Sequence, residues 1–231
     1  GVAAKEALSV LSAKLGALDS TNRPPAVVKP ATGEVTVTWD LEARHLLLSW
    51  PVTGPATGEH AALMTAANWL NMRLFGDAEL KRMSGMVLAG VDLDTPEGPW
   101  FYVSASLKPD ASFEAVRQRI KVQLKTLRTD EGELSTTPLL GQQLAFGLMR
   151  VRDPRIAKAN APGGMTDAMI EGNLGLQWAM GVHRYGIQRD QLAERLRSIS
   201  AAEVRRAAQQ LLSEDRVVTC IIRPGDPPAP R

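Results

Sequence analysis

Glu59 and His60 lie side by side in the stretch "PATGEHAALMTAANWL" (55–70), at the start of an apolar helical run. An imidazole and a carboxylate on one helix are the parts that metal-assisted hydrolysis uses, one to hold the ion and one to move a proton. The H-x-x-E-H arrangement needs a second histidine at position 56, so that both imidazoles face the same way. That position holds Ala56. The three histidines of the chain, His45, His60 and His183, include no pair spaced four apart. A catalytic zinc takes about three protein ligands, so no metal ligand and no catalytic residue is assigned to this chain. Glu59 has a plainer role in the first turn of a helix, where a negative charge complements the exposed N–H groups.

Other constellations are weaker. Asp92, Asp94 and Glu97 in "DLDTPEG" supply oxygen ligands, but a calcium loop needs a longer alternating series closed by a bidentate glutamate. A polar hairpin turn is the expectation there. Cys220 sits in the apolar strand "VVTCIIR", where a buried, inert thiol is expected. His45 lies in an apolar strand and His183 follows a helix end. There is no G-x-S-x-G elbow. The glycines of "APGGM" (161–165) follow no strand with phosphate-loop spacing. Arg184, Arg189, Arg195, Arg197, Arg205 and Arg206 are interleaved with Glu194 and Glu203, as on a solvated helix face.

The elements that carry these residues can be read from periodicity. Residues 3–15 show helical spacing, and a proline-rich, aperiodic stretch follows. "EVTVTW" (34–39) alternates as a half-buried strand does, and "RHLLLSWP" (44–51) reads as a fully buried one. "DLEA" between them forms either a turn or the bulge of one long strand. The helix at 59–75 carries Leu63, Ala66, Ala67, Leu70 and Leu74 on one stripe and stops at Gly76. A short helix (77–83) leads to strands 84–94 and 99–109, joined as a hairpin across "TPEG". Helices follow at 112–127, 136–151, 165–181, 190–199 and 200–212. Ser200 and Glu203 form a capping box for the last of these. "DRVVTCIIRP" (215–224) is a closing strand. Trp39, Trp50, Trp69, Trp100 and Trp178 all fall within these elements, where core or interface packing is expected. The segregation of strands and helices predicts an α+β fold, with a mixed, mostly antiparallel sheet backed by helices.

Composition narrows the class. Of 231 residues, 44% are hydrophobic and 23% charged, as in an ordinary globular chain with a sizeable core. Lys+Arg 27 against Asp+Glu 25 gives no electrostatic case for nucleic acid. One cysteine excludes an internal disulfide framework. No apolar run of about 18 residues predicts a membrane span, and the first ten residues lack the pattern of a signal peptide.

Several phrases in order resemble the pitrilysin / mitochondrial processing peptidase family of zinc metallopeptidases, the inverzincin type, in its C-terminal-type domain that lacks H-x-x-E-H. "AKLGALDSTNRPPAVVKPATGEVTVTWDLEARHLLLSWP" resembles that family's inter-domain passage, and "GEHAALMTAANWL" the first helix of its second domain. "SGMVLAGVDLD" and "PWFYVSASLKPDASFEAVRQRI" resemble the hairpin and the long helix after it. "ISAAEVRRAAQQLLSEDRVVTCIIRPGD" resembles the domain's end. The resemblance implies a terminal helix of a preceding domain at 1–19, a Pro-rich linker at 20–33, one non-catalytic α+β domain at 34–224 and a tail at 225–231. It implies a homologous zinc-bearing domain or subunit as partner. The two together would close a chamber around a peptide substrate, with no cofactor in this chain and zinc in the partner.

Active relatives often carry an arginine and, seven residues later, a tyrosine that grip substrate. In "ELKRMSGMVLAG" the matching pairs are Lys81 with Leu88 or Arg82 with Ala89. The tyrosine is absent, and Lys81 and Arg82 are the candidate substrate contacts. The alternative the resemblance allows is a proteolytically inactive structural or assembly subunit of the same family. The compartment stays open between bacterial periplasm and cytoplasm.

Overall fold

The computed structural model of the chain describes residues 33–54, 59–93, 99–130, 132–150 and 189–225. Its strands are β1 (Gly33–Trp39), β2 (Arg44–Pro51), β3 (Ser84–Asp92), β4 (Trp100–Leu107) and β5 (Val218–Pro224). Its helices are α1 (Glu59–Gly76), α2 (Ala78–Met83), α3 (Phe113–Thr129), α4 (Thr137–Arg150), α5 (Arg189–Arg197) and α6 (Ala201–Leu211). The strands form one sheet in the order β1-β5-β2-β4-β3. Only β1 and β5 run parallel; the other neighbours are antiparallel. This is the mixed, mostly antiparallel sheet of an α+β fold.

The alternation of each strand decides which face is covered. Leu46, Leu48 and Trp50 of β2 and Phe101, Val103, Ala105 and Leu107 of β4 are buried on one face. Ile221 and Thr219 of β5 continue that face. Helix α1 lies against it and is itself enclosed by α3, α4, α5 and α6. Ten of its residues are buried, from His60 to Leu74. A helix buried on most sides cannot be amphipathic, and its buried alanines, Ala61, Ala62, Ala66 and Ala67, let neighbouring backbones come close.

Local signals set the boundaries. Asp77 caps α2 by accepting from the Glu79 and Leu80 N–H groups, both at 3.1 Å. Ser112 caps α3. The predicted capping box is present: Ser200 Oγ accepts from the Glu203 N–H, and the Glu203 carboxylate accepts from the Ser200 N–H. The Arg44 guanidinium donates to the carbonyls of Lys108, Pro109 and Ala111 and lies 5.3 Å from the centre of the Phe113 ring. It thereby ties the sheet to the loop that opens α3.

Three expectations need correction. The residues Asp40–Ala43 make neither a hairpin turn nor a bulge, because β5 inserts between β1 and β2 and pairs with both. β2 is not buried on both faces; His45, Leu47, Ser49 and Pro51 are only partly covered. Trp39 is 53% exposed, while Trp50 and Trp69 are core residues whose indole N–H groups donate to the Ser213 and Glu133 carbonyls. The helix at 3–15, the linker, the turn "TPEG", the helix at 165–181, His183 and Trp178 lie outside the described residues.

Where α4 meets α5, only glycine fits. A Cβ on Gly141 would lie 2.1 Å from the Leu196 carbonyl oxygen and 2.5 Å from a methyl of Ile199. Gly141→Ala is expected to destabilise the chain by about 1–3 kcal/mol through this clash. Urea unfolding followed by circular dichroism checks it; a Gly147→Ala control, where a Cβ meets nothing within 4 Å, should cost far less.

Candidate functional site

Glu59 and His60 do not form a site. Both lie in the first turn of α1, but one residue of helix turns the side chain by about 100°. Glu59 lines a small surface cavity with Arg195, Glu203 and Arg206. His60 is 1% exposed and borders a different cavity, with Met64, Asn68 and Leu144. Burial lowers its pKa from 6.5 to about 4, which keeps the ring neutral. Among the described residues no three His, Cys, Asp or Glu side chains converge to hold a metal ion. The donor set around Glu59 and His60 therefore does not fit a zinc site. Asp92 ends β3 opposite Trp100, as a hairpin requires.

Cys220 is not buried in the core as expected. It lies half-covered on the outer face of β5, in register with Leu47 and Val35. Partial burial raises its pKa and so keeps it a thiol, not a reactive thiolate.

The face that carries Cys220 is the unusual surface of this fold, because no described helix covers it. Registered rows cross it from edge to edge. One row is Val37, Ile222, His45, Ser106 and Met86; the next is Val35, Cys220, Leu47, Ser104 and Leu88. A third runs Val218, Ser49, Tyr102 and Gly90. None of these residues is a lysine, arginine, aspartate or glutamate. Open sheet faces ordinarily turn polar side chains to water. This one exposes Met86 at 64%, Val35 at 50% and Leu88 at 40%.

Lys81 and Arg82 lie on the last turn of α2, just before β3. A polar knot centred on the buried Asp77 and Gln123 holds α2 in place. Asp77 accepts from Arg119 at 2.7 Å and from Gln123 at 3.0 Å, and Arg73 donates to both Gln123 and Glu133. Burial pushes the Asp77 pKa up, but the Leu80 N–H, Arg119 and Gln123 outweigh it and hold the carboxyl below its ordinary range. The Lys81 ammonium sits 4.7 Å from the centre of the exposed Phe75 ring. The Lys108 ammonium donates to the Lys81 carbonyl. Of the two pairs considered, Leu88 opens onto the uncovered face, whereas Ala89 is 4% exposed and points at the core.

The residues that sequence reasoning passed over are Tyr102, Ser104 and Ser106. Their signal was available: "WFYVSASL" alternates strictly, which sets Tyr and Ser on the face opposite Phe101, Val103 and Ala105.

No family model matches this sequence, and no curated protein matches it. Solved structures do share its fold. A protease from Helicobacter pylori superposes with a TM-score of 0.60 at 13% identity, over 96% of this chain and 53% of that one. The inactive peptidase domain of a candidate zinc protease from Bordetella parapertussis gives 0.58 at 14% identity, over 87% of this chain and 98% of that one. An M16 peptidase inactive domain from Pseudomonas fluorescens gives 0.55 at 16% identity, over 88% and 46%. The chain thus spans about half the length of the Helicobacter pylori chain.

Because His60 is neutral in the fold and protonates near pH 6.5 when exposed, the unfolded chain binds more protons between those values. Stability is expected to fall as pH drops from about 6.5 towards 4. Urea midpoints across that range check this; His60→Leu should flatten that part of the slope.

Proposed function

We propose that this chain is the non-catalytic half of a zinc metallopeptidase. It closes a proteolytic chamber with a homologous domain that carries the zinc ligands, in the same polypeptide or in another subunit. The observation that carries the reading is the uncovered sheet face. A surface this wide with exposed Met86, Val35 and Leu88, and with Asp92 at its end as the one acidic side chain among the described residues of its rows, is a poor boundary with bulk water but a suitable inner wall for a closed space. The likeness in fold to inactive peptidase domains supports the same reading.

In this reading the chain shapes, aligns and grips, and the partner supplies the zinc chemistry. In it Lys81 and Arg82 serve as cationic contacts for the backbone carbonyls or the terminal carboxylate of substrate. The Lys81–Leu88 pairing fits better than Arg82–Ala89, since Leu88 faces the open side and Ala89 the core. With leucine where active relatives carry tyrosine, the contact is electrostatic at one end and apolar at the other.

The chain by itself is expected to hydrolyse no peptide, with or without added zinc. Zinc-dependent peptidase activity of the isolated chain that survives His60→Ala would overturn the assignment. In the assembled protein, Lys81→Ala and Arg82→Ala are expected to raise KM by up to about tenfold each and to leave kcat nearly unchanged, as loss of a charged contact to bound substrate does. An assembled protein in which neither half carries H-x-x-E-H and which hydrolyses nothing would instead favour a structural subunit.

A further inference from the structure

The uncovered face is not flat. Ser104 and Ser106 form a low column along β4, between the taller column of β2, with His45 and Leu47, and that of β3, with Met86 and Leu88. Tyr102 leans out of the β4 column onto β3. A Cβ on Gly90 would lie 2.6 Å from its hydroxyl oxygen and 2.7 Å from its ring. The phenol therefore occupies the side-chain space that glycine leaves vacant and extends the β3 wall beyond Leu88. The walls are two strand spacings apart, roughly 9–10 Å, which is the width of one extended chain.

From this relief we infer that the trough along β4 binds an extended peptide segment whose side chains are uncharged and apolar. The inference rests on the peptidase reading above and names the substrate class of that wall. Two features select a peptide over a folded domain. The floor offers hydroxyls: among the described residues no hydrogen bond engages the Ser104 or Tyr102 oxygen, and Ser106 accepts only the Met86 N–H, at 3.0 Å. Free hydroxyls match the unpaired N–H and C=O groups of an extended chain, whereas a folded partner has already paired its own. The width, set by the register, suits one strand. Charge then selects the class of peptide. A lysine or glutamate seated against Leu47, Met86 and Leu88 would be desolvated with no counter-charge in the two rows that hold them, Asp92 lying two rows further along β3 than Leu88, which is unfavourable.

The test is fluorescence anisotropy on the full 231-residue chain. The probes are a labelled nine-residue peptide alternating leucine and serine, blocked at both ends, and counterparts with lysine or glutamate in place of leucine. The neutral peptide is expected to bind at least tenfold more tightly than either charged one. Ser104→Phe, which fills the floor, should weaken it at least tenfold, and Tyr102→Phe severalfold. Leu88→Glu should switch preference to the lysine peptide. Val122→Glu, on the exposed side of α3, should change nothing, and circular dichroism confirms that each variant is folded. Binding indifferent to peptide charge, insensitive to Ser104→Phe in folded protein, or absent altogether would overturn the inference. So would concentration-dependent dimerisation abolished by Leu88→Glu, which would give the face to a second copy. Trough-dependent binding without zinc-dependent hydrolysis in the assembled protein would count against the peptidase reading alone. Hydrolysis with charge-indifferent binding would count against the trough alone.

Discussion

Helix α1 is buried on nearly every side, and the rest of the domain is arranged around that fact. Its alanines allow close approach, and its leucines and Trp69 fill the space between the sheet and the outer helices. A helix that must be enclosed draws α3, α4, α5 and α6 to the same side of the sheet. Burial also explains His60. Next to a carboxylate in sequence it looks reactive, yet its surroundings favour the neutral imidazole.

Covering one face commits the other. Among the described residues no helix lies on the outer face of the five-stranded sheet. Its composition fits water poorly, for a registered strip from Val37 to Met86 and from Val35 to Leu88 carries no formal acid or base except His45. Several cations of the described residues are held elsewhere. Arg119 and Arg73 fix α2 through Asp77, Gln123 and Glu133, and Arg44 and Arg223 flank the Phe113 ring at the sheet's end. Arg117, Lys121 and Arg128 line a cavity of about 330 Å³ between α3 and the sheet, each paired with an acidic side chain. The three central rows of the outer face thus stand apart from these ion pairs.

Much of this was legible without coordinates. Helical stripes, the Ser200–Glu203 capping box, the hairpin of β3 and β4 and the α+β class all follow from local signals, because caps, turns and periodicity act over a few residues. The missing ligand histidine is a matter of identity and spacing, since position 56 holds alanine. The resemblance of ordered phrases likewise pointed to the fold that this chain shares with solved inactive peptidase domains.

Tertiary structure decided what is non-local. An apolar run such as "RHLLLSWP" reads the same whether its second face meets helices or nothing; only the one-sided packing shows Leu47 and Cys220 half-open. The insertion of β5 between β1 and β2 joins residues nearly two hundred positions apart, beyond the reach of any periodicity. That Leu88 faces outwards and Ala89 inwards depends on the register of β3 with β4, since a slip of one residue would exchange them. Sequence determined which groups the chain has and their local conformation. Burial and register, which are sums over distant contacts, determined which of them the fold encloses and which it leaves on the outer face.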